Sequence, residues 1–481
     1  MSAVSHPDAA GRDDTASAPA PALGESELNT SDRRACWAAT AHGERTRAAL
    51  AEDARYFLRQ AVSTPCLSSI VKAEGAWIED ADGRRYLDFH GNNVHHVGYG
   101  HPRLKAAITA QMDRLPFAPR RFACEPATAL ARKLAEIAPG ELSKTLFTTG
   151  GSDAVEVALK IARAATGRFK TLSFWDAFHG AGFGAASVGG EQLFRSHVAG
   201  PLLAGTEHVA PFACYRCPYG YPETDGRPHL ELCRLTCANM VRYALEKEGD
   251  VAAVIAEPAR AVPYVPPPGF WSEVRRACDE HGALLIFDEI PTGLGKTGRM
   301  FACEHDEVVP DILVMGKALG GGILPLAAVM TRPELDVGER YAFGHYTHEK
   351  NPVSATAGLE TIGIIEDEGL VENAAALGRT ALERLREMQR RSPVIGDVRG
   401  RGLLFGMELV LDRNDKRPAD DLAESVLYRC LDKGLSFKLS LGNTLTFTPP
   451  LVLTAAELDS ALDIVETSLD EACRELGLGG G

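Results

Sequence analysis

Two residues set the chemistry this chain can attempt. The apolar run from Ala283 to Phe287 ends directly at Asp288. The run from Ile312 to Met315 is followed two residues later by Lys317 and then by Gly320, Gly321 and Gly322. Short runs rich in Ile, Leu and Val and bounded by Gly and Pro read as buried strands of a parallel sheet. An acid and an amine beyond the ends of neighbouring buried strands face the crevice where open α/β sheets take ligands. A lysine amine there can form an imine with an aldehyde and later move a proton. A carboxylate there can keep a ring nitrogen protonated, so that the ring accepts electrons. The pair reads as a pyridoxal phosphate site, with Lys317 carrying the cofactor as a Schiff base and Asp288 holding its ring nitrogen.

That chemistry also needs a phosphate anchor and a flat cover for the ring. KTLFTTGGSDAVEVALKIA (144–162) is a strand running into Gly150 and Gly151, with Ser152 expected to cap the next helix. A Gly-Gly turn at a helix N-terminus presents free amides and the positive end of the helix dipole to an anion, although it also serves as a plain tight turn. KTLSFWDAFHG (170–180) is another strand, ending at Phe178 and His179, and AAVIAEP (252–258) another, ending at Glu257. Phe178 can cover the ring. Strands alternating with helical segments imply a mostly parallel sheet with helices on both faces.

The remaining elements frame this centre. Residues 1–30 are Ala, Ser, Pro, Asp and Gly with few large apolars, and are expected to be a disordered tail. A helical pattern spans 34–61, and 73–89 alternates about an Asp82-Gly83 turn as a β-hairpin. HGNNVHHVGYGHP (90–102) is rich in Gly and His, and a helix is expected over 102–115. Residues 353–391 are helical, 398–410 is a turn into a strand, and 445–469 is a strand, a Pro-Pro stop and a helix capped by Thr454 with Glu457.

Composition bounds the function. The chain has 481 residues, 45% hydrophobic and 24% charged, enough for two or three domains. A net charge of −14 argues against nucleic acid or an anionic membrane as partner. No apolar run nears the ~18 residues of a bilayer span, and the first residues carry no secretion signal, so a cytoplasmic location is expected.

From about residue 70 to 470 the chain resembles the class III aminotransferases, a family of fold-type I pyridoxal phosphate enzymes. IFDEIPTGLGKTGRMFACEHDEVVPDILVMGKALGGG matches that family's signature closely, and FTTGGSDAVEVALKIAR, AFHG, AEP and THEKNP match its other blocks. The resemblance implies a large α/β domain with a mainly parallel, seven-stranded sheet over 111–345, carrying a Cys-containing insertion at 211–240. It implies a small α+β domain built from 31–110 and 346–481, and a homodimer with shared active sites. By the same match Lys317 is the catalytic lysine, Asp288 meets the pyridinium nitrogen, Gly151 and Ser152 bind phosphate, Phe178 stacks on the ring, and Thr347 reaches the other subunit's phosphate. His179 and Glu257 belong to the cofactor-binding set.

Three positions depart from the family's pattern. Pro291 stands where Gln is usual. Thr446 stands where many transaminases carry the Arg that grips an α-carboxylate, and Val262 where its Glu partner stands. A neutral Thr cannot replace a bidentate guanidinium–carboxylate contact. STPCL (63–67), DFHGNNVHHVGYGHP (88–102), PFAPRRF (116–122) and EPARA (257–261) are similar to an ammonia-lyase branch acting on a hydroxy-amino-phosphonate. The expected substrate is then a small primary amine, with an ω-aminotransferase as the other reading and a non-catalytic scaffold as a remote one. Arg120, Arg121 and Arg260 are candidate phosphonate partners. Asn92, Asn93, His95 and His96 are candidates for the substrate side or for structural roles.

Two motifs are decoys. GLGKTG (293–298) imitates a nucleotide-binding loop but has Ile290 where that loop needs Gly, and Gly298 where its helix should start. Cys214, Cys217, Cys233 and Cys237 have zinc-like spacing, but such loops occur in the family without metal, and no metal is expected.

Overall fold

The computed structural model describes residues 30–478 apart from 62, 196–199 and 225. The expected disordered tail lies almost wholly outside the described residues. A seven-stranded sheet carries the site. Its strands are β1 (Lys144–Thr148), β2 (Lys170–Phe174), β3 (Thr206–Val209), β4 (Val251–Ala256), β5 (Leu284–Asp288), β6 (Ile312–Met315) and β7 (Ala327–Thr331). They are ordered β1-β7-β6-β5-β4-β2-β3, and only β7 runs against the rest. β4, β5, β6 and β7 are buried along their whole length, which is why they read as unbroken apolar runs rather than as alternation. Seven strands are expected, but the sequence pattern does not locate β3 and β7.

Two apolar layers sandwich this sheet. On one face helix α1 (Gly151–Thr166) lays Ala154, Val155, Ala158 and Ile161 against Ile255, Ile286 and Val314. On the other, helix α2 (Phe270–His281) brings Phe270 and Trp271 against Phe174 and Phe212, with ring centroids 5.0 to 6.3 Å apart. Trp271 also meets Phe287 edge-on at 4.7 Å, and its indole donates to the Pro258 carbonyl at 2.9 Å. One buried indole thus braces the residue before Asp288 and the loop just after Glu257. Large aromatics of this kind each bury roughly 150–250 Å².

The two chain ends meet. Strand Leu435–Ser436 pairs in parallel with Arg85–Asp88, the second arm of the expected hairpin. A second sheet joins Ile395–Arg401, Leu404–Asp412, Thr444–Phe447 and Lys438–Ser440, all antiparallel. The expected domain boundary at 110 falls inside helix Pro102–Arg114. Thr454 and Glu457 form the expected reciprocal cap of helix Ala455–Leu476.

Three local expectations are corrected. The helical pattern over 34–61 is two helices, Asp32–Ala41 and Glu44–Tyr56, broken where the Gly43 amide donates to Asp82 at 2.8 Å and a Cβ would lie 2.4 Å from that carboxyl. The pattern over 353–391 is also two helices, Pro352–Asp367 and Leu370–Arg391, parted by Gly369 at φ 61°. Ser152 does not cap α1. Gly150 holds the cap position and Ser152 lies inside the first turn.

Candidate active site

Strand register brings the acid and the amine together. β5 and β6 are adjacent and parallel, with Asp288 opposite Val314. Asp288 therefore ends its strand beside the point where the chain leaves β6 for Gly316 and Lys317. Lys317 sits at φ 45°, a left-handed conformation that a side-chain-bearing residue adopts only when its surroundings hold it there. The holding is visible on both sides. Gly316 packs under Ile290 and Ala327, where a Cβ would come to 3.4 Å. Beyond it, Lys317–Gly320 forms a 3-10 turn against the Gly91–Asn93 turn.

Asp288 is 1% exposed, and each of its oxygens has one partner on the protein side. One carboxylate oxygen accepts from His179 Nδ1 at 2.8 Å and the other from the Ile290 amide at 3.0 Å. His179 is itself buried, and its Nε2 has no hydrogen-bond partner among the described residues. The neighbouring acid has a different task. Glu289 accepts from the Ala302 and Cys303 amides at 2.7 and 2.8 Å, and burial pushes its carboxyl up to about 7.

The two residues open onto a cavity of about 180 Å³ that also holds Gly151, Ser152, Phe178, His179 and Glu257. α1 enters it N-terminus first. The amides of Gly151, Ser152 and Asp153 precede the first intrahelical bond, from Ala154 to Gly150, and so are free for an anion. The loop after β2 closes over this end of the helix. The Ala181 amide donates to Ser152 Oγ at 3.0 Å, and Gly180 at φ 126° comes so close that a Cβ would lie 2.3 Å from the same oxygen. A Cβ on Gly151 would likewise press Ile290 at 2.7 Å. Glu257 is held by the Ala261 amide at 3.3 Å and the Phe178 amide at 3.5 Å. The parts fit pyridoxal phosphate: an amine, a buried carboxylate, free helix amides and an aromatic ring face one small cavity.

Seven of the expected cofactor-binding residues therefore share this cavity. Thr347 does not line it and is exposed in the turn before Pro352. Among the substrate candidates, Asn93 is buried beside the Lys317 turn and its Oδ1 has no partner among the described residues. Asn92 is exposed. His95 and His96 point to backbone oxygens, of Asp88 and Gly293, each at 3.2 Å. Burial drives both imidazoles below their usual range, His95 to about 4. Arg120 is half-buried and Arg121 exposed, and neither lines the cavity. Arg260 is enclosed behind the wall, against Glu191 at 3.6 Å, Glu257 at 4.0 Å and the Asp176 carbonyl.

Sequence reasoning missed Gly180, Ala261 and Ile290 as lining residues. Gly180 was legible as the end of AFHG, but the other two are apolar positions with no chemical signal of their own. Cys214, Cys217, Cys233 and Cys237 line one small apolar cavity elsewhere. No group of three or more ligating residues among those described is placed to hold a metal.

Comparison with known proteins agrees with this geometry. A family model described as Aminotransferase class-III matches residues 59–469. The chain is 43% identical over 459 residues to the (R)-1-hydroxy-2-aminoethylphosphonate ammonia-lyase of Vibrio splendidus, covering 94% of this chain and 96% of that one. An (S)-enantioselective omega-transaminase from Thermomicrobium roseum superposes with a TM-score of 0.82 at 30% identity, covering 90% of this chain and all of that one. An amine transaminase from an uncultivated Pseudomonas species, solved in its PLP-bound form, superposes with a TM-score of 0.79 at 32% identity over 84% of this chain and 95% of that one.

Proposed function

We propose a reaction for this chain, which belongs to the class-III aminotransferase family of pyridoxal-phosphate-dependent enzymes: removal of ammonia from a small hydroxy-amine that carries a phosphonate. The observation that carries the reading is the uncharged pair at positions 446 and 262. Thr446 is buried and donates its hydroxyl to Ser440 at 2.8 Å, and Val262 is 1% exposed. Neither position offers the guanidinium–carboxylate switch with which one pocket takes an amine and a keto acid in turn. A lyase has no second half-reaction and no use for that switch. The 43% identical ammonia-lyase supports the same choice.

Pyridoxal phosphate, when bound, supplies a sink for the electron pair left at the amine-bearing carbon. The chain's residues do the rest. The amides of Gly151 and Ser152 would hold the phosphate at the α1 N-terminus, and Phe178 would cover the ring. Asp288, oriented by His179, would keep a proton on the ring nitrogen. Lys317 Nζ would be the base that takes the proton from the amine-bearing carbon. The hydroxyl on the neighbouring carbon would leave with its electron pair and depart as water, carrying away the proton that Lys317 took. The free enamine then takes up water to give phosphonoacetaldehyde and ammonia, so no oxidant and no amino acceptor is consumed.

Purified enzyme with (R)-1-hydroxy-2-aminoethylphosphonate and no keto acid tests this directly. Ammonia released over many turnovers is the expected result. Conversion only after pyruvate or 2-oxoglutarate is added refutes it and favours an ω-aminotransferase, the activity of the superposing transaminases.

The working unit in this reading is a homodimer, in which Thr347 reaches the partner's phosphate. Met112, Leu115, Phe117 and Phe122, exposed on and after one helix near the site, support an apolar contact with a second copy. The eleven cysteines, all free, support a cytoplasmic location. No helix among the described residues is long and apolar enough to cross a membrane.

A further inference from the structure

The chain is acidic, with 65 Asp and Glu against 51 Lys and Arg, yet one cavity reverses that balance. It offers about 440 Å³, open to solvent on one side, between the loop around Tyr215, the Pro266–Pro268 run, helix Leu370–Arg391 and the second sheet. Arg227, Arg386, Arg390, Arg399 and Arg413 line it, with Asp397 as the one carboxylate among the described residues. It shares no lining residue with the cavity at Lys317.

Most of these cations have no close carboxylate partner among the described residues. Arg399 is the exception, paired with Asp397 at 2.9 Å and Glu408 at 2.7 Å and lying 4.0 Å over the Tyr264 ring, and even its Nε has no partner among the described residues. Arg413 donates to the backbone carbonyls of Gln389, Ile395 and Ser392, which bind it without cancelling its charge. Arg390 has only Glu387, at 3.9 Å, and the side chains of Arg386 and Arg227 have no hydrogen bond or ion pair among the described residues. Arg386 and Arg390 stand four residues apart on one helix face, where like charges repel. Tyr215, 5% exposed, lines the same cavity, and its hydroxyl also lacks a partner among the described residues.

Guanidinium groups gathered against their own repulsion are the preferred partners of phosphate oxygens, which they grip in pairs. The volume lies within the roughly 300–1,000 Å³ of small-ligand sites. The arginines come from four separate segments around that volume, which exceeds what one phosphate group fills. Tyr264 and Pro266–Pro268 add an apolar wall suited to the body of a small molecule. We propose that this cavity is a second binding site, for a small molecule bearing a diphosphate group.

Holoenzyme desalted into phosphate-free buffer and titrated calorimetrically with inorganic pyrophosphate, ADP and orthophosphate tests the site. The expected result is one diphosphate bound per chain, about tenfold or more tighter than orthophosphate. Arg386→Gln with Arg390→Gln, both exposed, should weaken it about tenfold while melting temperature and amine turnover stay unchanged. Arg227→Gln, on a different segment, should weaken it as well and guards against an effect confined to the helix. Pyrophosphate as the tighter ligand identifies a bare diphosphate and ADP a nucleotide, and either upholds the site. No binding of either at millimolar concentration, or an affinity that none of these substitutions moves, overturns it.

Discussion

Asp288→Asn separates the electronic role of this carboxylate from its place in the fold. The amide is nearly the same shape, and its oxygen can still accept from His179 Nδ1 or the Ile290 amide, contacts of 2.8 and 3.0 Å in the wild type. The buried negative charge is what is lost. Asp288 is 1% exposed, so water cannot stand in for it. Removing one member of a buried, hydrogen-bonded charge pair costs about 3–5 kcal/mol. With the cofactor bound, that pair is the carboxylate and the protonated ring nitrogen. At about 1.4 kcal/mol per factor of ten, the loss is roughly two to four orders of magnitude in rate. Steady-state ammonia release should show the fall in kcat, with the melting temperature little changed and borohydride still fixing the cofactor to Lys317. A variant retaining activity within about tenfold of wild type would refute the reasoning, because the charge would then contribute less than the cost of one good hydrogen bond.

The same geometry sets three further outcomes. Lys317→Ala should lose turnover and the borohydride-fixed mass together, read by peptide mass spectrometry; a mass fixed on another lysine would contradict the assignment. Gly180→Ala should weaken cofactor binding about tenfold or more, since its Cβ would meet Ser152 Oγ at 2.3 Å at a φ of 126° and overpacking of this kind costs about 1–3 kcal/mol; equilibrium titration with pyridoxal phosphate measures it. Lys296 is fully buried, with its Nζ donating to the Pro449 carbonyl at 2.7 Å, and burial lowers its pKa from 10.5 to about 7. The unfolded chain binds that proton and the folded chain does not between the two values, so this group's contribution to stability rises with pH across that window. Lys296→Met should flatten the rise in denaturant titrations from pH 7 to 10, and an unchanged slope would show that the lysine is not the cause.

Much of the site could be read from residue order alone. Asp288 and Lys317 were legible because buried parallel strands are written as unbroken apolar runs, and residues just past the end of such a run lie at the sheet's ligand-binding edge. Gly150-Gly151 was legible as a tight turn into a helix N-terminus because few other residues allow the chain so close to a helix start. The sheet's β7 was missed because Ala327–Thr331 runs antiparallel among parallel neighbours and carries no polar residue of chemical interest. Ser152 was misplaced by one function: local spacing offers Ser as a cap, but the Ala181 amide claims its hydroxyl from a distant loop. Arg260 looked available for a phosphonate and is enclosed by Glu191, Glu257 and the Asp176 carbonyl. The arginine cavity had no signature at all, since its five cations are scattered from 227 to 413. Sequence by itself settled which side chains are made ready, because strand ends, glycine turns and apolar runs are local properties. Which cations lie free and which are neutralised depends on groups hundreds of residues apart brought within a few ångströms, and only the folded chain decides that.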